Sequence, residues 1–404
     1  MKNLLVLICV LWALNLSGQK TIVLDKFLRS NIGNITLWDG QVTRIYGITD
    51  ALSVAPQIPA STIICNEGDT VILNTLSISQ NAHHTIHLHG LDVDTRNDGD
   101  PMTSFSLQHM QDTTYTFVAR HAGTYIYHCH VGDVAHVQMG MYGLIIVRAK
   151  GGLKTAWTGG PAYDKEYAWL MSEIDRSWHD TIPLHDPKTN MVKIPKYEPD
   201  YFLVNGNSRQ QIWNDTNIII NSAANKNIYV RLTNIGFSDN QVIFPKALNA
   251  LIIDSDGRPL PNQIKTDTVI VSPGERYGVM LAPTAIFADS IIVNYKSLNT
   301  LKVQGTEKVP VNITQSMELA IPVMKDILVY PNPANTSINI SSTKAKICEV
   351  QVYNSIGQRV YSKFDIDDAD FLSISALEVF GGLYIIRIQT DTGILTKTII
   401  VQHQ

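Results

Sequence analysis

Cysteine is scarce in this chain, which has only four among 404 residues. Cys9 lies inside an apolar run at the N-terminus, so three remain for the rest of the chain. An odd number does not indicate a disulfide framework, even in an exported protein. Cys65 and Cys348 lie in the strand-like segments "STIICNEGDTVIL" and "KAKICEVQVYNS", where we expect them to be buried as small apolar residues. Cys129 is therefore the cysteine to which we assign a chemical role.

Charge is also sparse. Only 17% of the residues are charged, the formal net charge is −4, and no long run of Lys or Arg occurs. A nucleic-acid-binding function therefore has no support. Long helical periodicity is missing too, and short runs rich in Val, Ile, Thr and Tyr recur instead, broken by Gly, Pro, Asn and Asp. This pattern predicts an all-β chain built from stacked β-sandwich domains.

The chain has one conspicuous apolar run, from Leu4 to about Leu16, which follows a single lysine and precedes small residues. It is shorter than the roughly 20 apolar residues that span a bilayer. Its layout is that of a secretory signal peptide. We therefore predict that residues 1–19 form a signal peptide and that the protein is secreted or held at the cell surface after export through the periplasm.

Two interruptions of the strand pattern predict the domain organisation. The segment 148–167 is rich in glycine and lacks periodicity, and the segment 312–326 precedes a new pattern of strands and turns. We predict β-sandwich domains at residues 20–150 and 160–312, followed by a small β-sandwich at 325–404.

Histidine, in contrast, is concentrated in one region. Of twelve histidines, nine lie between His83 and His136. The motifs "HTIHLHG" and "HCHVGDVAH" each contain histidines two residues apart. Because alternate residues of a strand share a face, we expect these pairs to form one site and Cys129 to face away from it. The four paired histidines are His87, His89, His128 and His130.

Cys129 is predicted to belong to a second, separate site. His84 is an odd step from the pair that follows it and should leave their shared face, and His136 could reach the thiol from a loop beyond. Two histidines, one cysteine and a distant thioether are the ligands of blue copper. Met141, five residues after His136, could supply the thioether, and Met139 is the alternative.

Copper explains both groups, whereas zinc explains four histidine ligands but not the group around the cysteine. Cys129 would then link the two sites covalently, because its sequence neighbours belong to the other site. Three further histidines fit neither site, and we expect them on the surface or in supporting positions: His83, His109 and His121.

These motifs resemble those of the multicopper oxidases in the cupredoxin superfamily. "HTIHLHG" resembles their HxxHxHG motif, and "GTYIYHCHVGDVAHVQMGMYG" resembles their GTYWYHCH…HxxxGM segment. The resemblance implies a type 1 copper that takes electrons from a donor, and half of a type 2/type 3 trinuclear cluster, built by the four paired histidines, where dioxygen becomes water. It assigns the type 1 copper to His84, Cys129, His136 and Met141. It also implies that Asp98, in "RNDGDP", helps to deliver protons, whereas the residues alone indicate only a turn before Gly99.

The remaining regions extend the resemblance. "YFLVNGNSRQQI" and "DTVIVSPGERYGVML" resemble the copper-free cupredoxin domain of laccases. "VYPNPANTSINI" and "GGLYIIRI" resemble the C-terminal sorting domain of the type IX secretion system, whose machinery becomes an expected partner. The implied fold is two cupredoxin-like Greek-key β-sandwich domains followed by a small C-terminal β-sandwich.

The chain departs from the family pattern in one respect. A full trinuclear cluster takes eight histidines, and the second region offers only His179 and His185, without the required spacing. Three interpretations stay open. Another chain completes the cluster, either in a homo-oligomer or as a different protein; or one of these two histidines completes a nitrite reductase-like copper site; or the protein is a blue-copper electron-transfer or copper-binding module with an incomplete second site. For the oxidase interpretation, the expected reaction partners are dioxygen and a small-molecule or metal-ion electron donor.

Overall fold

The structure is a computed structural model that describes residues 19–80, 82–182, 194–315, 327–355, 357–364, 366, 369–376, 380–391 and 393–402. The predicted signal peptide, apart from its last residue, and His185 lie outside the described residues. The chain divides into two compact units, Met1–Ser316 and Met317–Gln404. Within the described ranges, no helix combines the length and the apolar character needed to cross a membrane.

Strands dominate both units, as the all-β prediction requires. The strands before residue 150 are β1 (Thr21–Thr36), β2 (Val42–Thr49), β3 (Ala60–Asn66), β4 (Thr70–Ser77), β5 (His87–His89), β6 (Asp112–Val118), β7 (Gly123–His128) and β8 (Tyr142–Arg148). They form two four-stranded sheets, in the orders β2-β1-β4-β6 and β3-β8-β7-β5.

The next strands build a second pair of sheets in the same unit. They are β9 (Lys165–Ile174), β10 (Tyr201–Val204), β11 (Ile220–Ala223), β12 (Ile228–Asn234), β13 (Ser238–Ile243), β14 (Leu251–Ser255), β15 (Arg258–Lys265), β16 (Thr268–Val271), β17 (Arg276–Leu281), β18 (Phe287–Ser297) and β19 (Val303–Thr314). The sheet orders are β10-β9-β12-β17-β14-β15 and β11-β19-β18-β13-β16.

The second unit has its own two sheets. Its strands are β20 (Ile327–Tyr330), β21 (Ser337–Ser342), β22 (Ile347–Asn354), β23 (Arg359–Lys363), β24 (Phe371–Ser375), β25 (Gly382–Thr390) and β26 (Gly393–Val401). The orders are β20-β21-β24 and β23-β22-β25-β26. A separate apolar core lies between these two sheets.

Alternation of side chains explains the sandwiches. In β4, Val71 and Leu73 are buried, whereas Thr70 and Ile72 are partly exposed and Asn74 is exposed, so one face of the strand packs inward. The two sheets before residue 150 share one apolar core, and the two sheets that follow share another. A smaller apolar cluster, including Ile126 and Leu170, joins the two sandwiches. The all-β prediction is confirmed, whereas the predicted domain boundaries stay predictions.

Helices are few and short: α1 (Asp133–Gln138), α2 (Arg176–Thr181) and α3 (Gln210–Asn214). α1 replaces part of the loop that the sequence suggested for His136, and it begins after Gly132, whose φ of 57° lies in the left-handed region. Cys65 is buried as predicted, but Cys348 is only partly buried, contrary to prediction.

Candidate metal centre

Two paired strands bring the histidine motifs together. β5 pairs antiparallel with β7, and the register places His87 opposite His128 and His89 opposite Ile126. β7 is buried along its whole length because its two faces meet different cores. Cys129, just after β7, belongs to the core of the first sandwich, whereas Ile126 belongs to the cluster shared with the second. The alternation expected from the sequence is therefore present.

The thiol of Cys129 lies between two imidazoles. Its Sγ is 3.5 Å from His84 Nδ1 and 3.2 Å from His136 Nδ1, and all three residues are buried. An antiparallel bridge to Leu107 holds His84, while α1 presents His136. Both rings turn the same nitrogen, Nδ1, toward the sulfur.

Met141 lies next to this group through its backbone. Its N–H donates to the His136 carbonyl (3.0 Å), and its carbonyl accepts from the Cys129 N–H (3.0 Å). Met139 is also fully buried, but its carbonyl accepts from the N–H of Tyr46 instead. The backbone contacts thus favour Met141 as the fourth member of the thiol site, which remains a prediction.

The surroundings keep His84 neutral. Burial, and then the nearby His136, hold the pKa of His84 well below its ordinary value. Its other nitrogen, Nε2, is buried without a hydrogen-bond partner among the described residues. A neutral imidazole can offer its Nδ1 lone pair to a metal. Soft sulfur with two imidazoles in an apolar pocket suits copper.

The second group consists of three histidines whose ligand atoms lie within 4.8 Å of one another: His87, His89 and His128. The Nδ1 atoms of two of them face backbone carbonyls, His87 that of Asp98 (2.8 Å) and His128 that of Cys129 (3.0 Å). An Nδ1–H that donates to a carbonyl leaves Nε2 as the lone-pair atom, which is how proteins orient metal-binding histidines. We name this group the histidine site.

Burial keeps His89 and His128 neutral. It lowers the pKa of His128 to about 3. Burial, followed by the charge of Arg276, lowers the pKa of His89 to about 4. Near neutral pH both rings are therefore uncharged, which is the form that binds metal ions.

His130 and Asp98 lie beside the histidine site. The ring centroid of His130 is 4.9 Å from that of His87 and 5.7 Å from that of His128, but it is not one of the three converging residues. The four-histidine prediction thus gives three converging rings and one neighbour. Asp98 Oδ1 is 3.5 Å from His87 Nδ1, and Asp98 also ends a short 3₁₀ turn. Asp98 therefore lies both beside the histidine site and in a turn before Gly99, the two positions that the sequence suggested.

The other histidines that the structure describes do not join either group. His179 is fully buried in α2, where its Nδ1 donates to the Arg44 carbonyl (2.6 Å). His83 hydrogen-bonds Ser106, and His121 pairs with Asp92. His109 is exposed.

Sequence reasoning missed one part of the histidine site. The turn between β16 and β17, in the second sandwich, packs against His89, and Arg276 follows it directly. The segment "SPGER" offered only a turn signal, because the contact spans nearly 190 residues of sequence and depends on how the two sandwiches meet.

Comparison with known families gives three matches along the chain. Two multicopper oxidase models match residues 38–152 and 176–307, and the secretion system C-terminal sorting domain matches residues 328–402. The predicted resemblances are confirmed. Multicopper oxidases use copper, which confirms the predicted cofactor. The sorting domain indicates secretion or export to the cell surface.

Curated relatives include copper proteins of several kinds. Copper resistance protein A of Escherichia coli is 27% identical over 208 residues, 51% of this chain and 31% of that protein. Laccase-25 of Oryza sativa subsp. japonica is 27% identical over 243 residues, 58% of this chain and 40% of that protein. The copper-containing nitrite reductase of Neisseria meningitidis serogroup B is 30% identical over 151 residues, 37% of this chain and 36% of that protein. The chain thus spans less than half the length of these relatives.

Solved structures share the fold. The blue copper oxidase from Nitrosomonas europaea matches with a TM-score of 0.57 and 26% identity, over 73% of this chain and 86% of that one. The copper nitrite reductase from the same organism matches with a TM-score of 0.53 and 17% identity, over 74% of this chain and 95% of that one. The second likeness concerns the fold alone.

Proposed function

The chain carries two multicopper oxidase domains and a C-terminal secretion sorting domain, and from this premise we propose that it is a secreted copper-dependent oxidoreductase that passes electrons from a donor to dioxygen. The observation that supports this most directly is the arrangement around β7. A buried thiol meets two imidazole Nδ1 atoms on one side of the chain, and three imidazoles converge on the other. The likeness to a laccase and to a blue copper oxidase supports the same reaction class.

Copper bound to these two donor sets would accept electrons singly from the donor and supply them to dioxygen. The chain connects the two sets through adjacent residues. The Cys129 carbonyl faces Nδ1 of the His128 ring at 3.0 Å. An electron that leaves the sulfur can therefore reach this ring across one hydrogen bond, which is a shorter path than the covalent chain between the two side chains. Cys129 and His84 are fully buried. A donor therefore cannot touch the thiol, and oxidation of the donor is outer-sphere.

Asp98 is the group we propose for proton delivery to the histidine site. Its carboxylate lies 3.5 Å from His87 Nδ1 and is partly exposed, so it can exchange protons with water. Its own carbonyl meanwhile fixes the His87 ring. Asp98→Asn should keep copper in both sites but slow dioxygen reduction as pH rises, measured as oxygen consumption against pH.

The partner that completes the cluster is a further part of the proposal. The described residues contribute three converging histidines and His130 beside them, half of the eight in the family pattern. We propose that a second copy of this chain, or another protein, supplies the rest at the partly exposed side of His87 and His130. Mass measurement of the copper-loaded protein tests this, since a monomer with full oxidase activity would contradict it.

Export through the type IX system is proposed from the sorting domain. The signal peptide would direct the chain into the periplasm, and residues 325–404 would engage the secretion machinery. A chain truncated after residue 312 should remain inside the outer membrane of the producing cell, as fractionation and immunoblotting would reveal. Secretion of the truncated chain at the full-length level would contradict this assignment.

Oxygen consumption tests the central reaction. Copper-loaded full-length protein should consume dioxygen with a phenolic donor or with a reduced metal ion, and Cys129→Ser should not. Consumption by neither protein with any donor would reject the oxidase and leave electron transfer. A second candidate is nitrite reduction, favoured by the convergence of three histidines, which suits a single copper ion. Reduction of nitrite without oxygen consumption would support that candidate instead.

A further inference from the structure

The second sandwich forms a wall of the histidine site. Gly274, in the turn between β16 and β17, has a φ of +83°, and a Cβ placed on it would lie 3.2 Å from His89 Cε1 and 3.5 Å from His89 Nε2. No other atom of that ring comes within 4 Å of this position. The turn therefore approaches the ring edge that carries Nε2. The second sandwich, whose described residues form no metal-binding group of their own, thus reaches the edge of a candidate metal ligand.

Arg276 follows this turn and is almost completely buried. Its Nε donates to the Thr124 carbonyl (3.3 Å), and its Nη1 donates to the Gly274 carbonyl (2.7 Å) and pairs with Asp256 (3.1 Å). These contacts fix the plane of the guanidinium. Its Nη2 lies against Gly90, the residue directly after His89, where an added Cβ would be only 2.2 Å away. The absence of a side chain at position 90 thus lets the guanidinium sit beside His89.

The Nη2 group is the part of Arg276 that the protein does not use. No acceptor for it occurs in the described ranges, whereas Nε and Nη1 are both engaged. Asp256, the only carboxylate that pairs with Arg276 among the described residues, is about half exposed, so water screens the attraction and leaves net positive charge at Nη2. A guanidinium with free N–H donors binds small anions through charge-assisted hydrogen bonds.

We propose that Arg276 is an anion-binding residue of the histidine site, so that this site holds a small inorganic anion through Nη2 in addition to the dioxygen of the proposed function. This rests on the proposed function only in that His87, His89 and His128 must hold copper. The role is one of binding and charge stabilisation. A fixed positive charge beside the site also favours negative charge that develops on a reduced ligand.

Azide titration of the copper-loaded full-length protein tests the proposal, with the anion-to-copper absorption band and the electron paramagnetic resonance spectrum as readouts. Arg276→Gln should weaken azide binding about tenfold or more, because one charge-assisted hydrogen bond is lost, while the copper content stays the same. Arg258→Gln is the matched control, since this neighbouring arginine is half exposed and paired with Asp92. Its azide affinity should equal that of the wild type.

A second variant separates anion binding from a structural role. Asp256→Asn keeps the side-chain oxygen that accepts the backbone N–H of Arg276 (3.2 Å), but it removes the carboxylate charge that partly neutralises the guanidinium. Azide should therefore bind about threefold more tightly. Unchanged azide affinity in Arg276→Gln, or weaker binding in Asp256→Asn, would overturn the inference alone. A histidine site that takes up no copper in the wild-type protein would overturn the proposed function as well.

Discussion

Replacing Gly99 with alanine should damage the histidine site from outside it. Gly99 has a φ of +76°, and a Cβ there would lie 1.9 Å from the Ile86 carbonyl oxygen and 2.8 Å from the His87 N–H nitrogen. Both neighbours are backbone atoms of the segment that carries His87, so they cannot move without moving that histidine. The preceding carbonyl, that of Asp98, also fixes the His87 ring.

The expected loss of stability is the sum of three effects. A left-handed conformation costs alanine about 1–2 kcal/mol, and forcing an extra atom into a packed position costs about 1–3 kcal/mol. Loss of the hydrogen bond between His87 and the Asp98 carbonyl costs about 0.5–1.5 kcal/mol. Together these predict a decrease of roughly 2.5–6.5 kcal/mol in the free energy of unfolding. Urea denaturation of the metal-free protein measures it.

Gly40→Ala is the matched control. Gly40 has a similar φ of +84°, but an added Cβ would meet nothing within 4 Å, so only the conformational cost of about 1–2 kcal/mol applies. Gly99→Ala should also lose copper from the histidine site while the thiol site keeps its colour, whereas Gly40→Ala should keep both. Equal stability of the two variants, with full copper loading in each, would refute the reasoning.

Three further predictions concern single side chains. Cys129→Ser should abolish the intense visible absorption of the thiol site and all turnover while the histidine site still binds copper, as absorption and metal analysis will show; retained colour would remove Cys129 from the site. Met141→Leu should raise the reduction potential and keep the colour, whereas Met139→Leu should leave the potential unchanged. Redox titration distinguishes them, and the reverse result would make Met139 the thioether ligand. Burial raises the pKa of Glu173 from 4.5 to about 7. Between these pH values the folded protein holds a proton that the unfolded chain has released. The contribution of Glu173 to the free energy of unfolding therefore falls by on the order of 3 kcal/mol as pH rises from 4.5 to 7. Urea denaturation across that range should therefore give a flatter pH profile for Glu173→Gln than for the wild type, and identical profiles would contradict the assignment.

The sequence was most informative where strand geometry is rigid. Side chains alternate along β7, and this alternation extends one residue past its last residue, His128, so that Cys129 and His128 face opposite ways as their adjacency predicts. The odd spacing that separates His84 from the histidine pair was informative for the same reason, and the structure places His84 beside the thiol. The all-β class followed from the spacing of short apolar runs.

Features that depend on distant packing were not accessible in this way. The sequence pattern does not predict the short helix α1, because six residues are too few to show helical periodicity. His130 is an even step from His128, yet it follows the end of β7, where the strand rule no longer applies, and it does not converge with the other three rings. The wall formed by Gly274 and Arg276 required knowledge of how the two sandwiches meet, which no local pattern encodes.

Reoxidation of the reduced protein tests the central claim most directly, because it asks whether electrons at the thiol site reach dioxygen. The copper-loaded full-length protein is reduced without oxygen until its colour disappears, and then mixed with dissolved dioxygen in a stopped-flow spectrometer. If Cys129 and His128 connect the two sites, the visible absorption of the thiol site should return as dioxygen is consumed, and His128→Ala should remain bleached over the same time. A wild-type protein that stays bleached, or a His128→Ala variant that recovers its colour at the wild-type rate, would contradict the account.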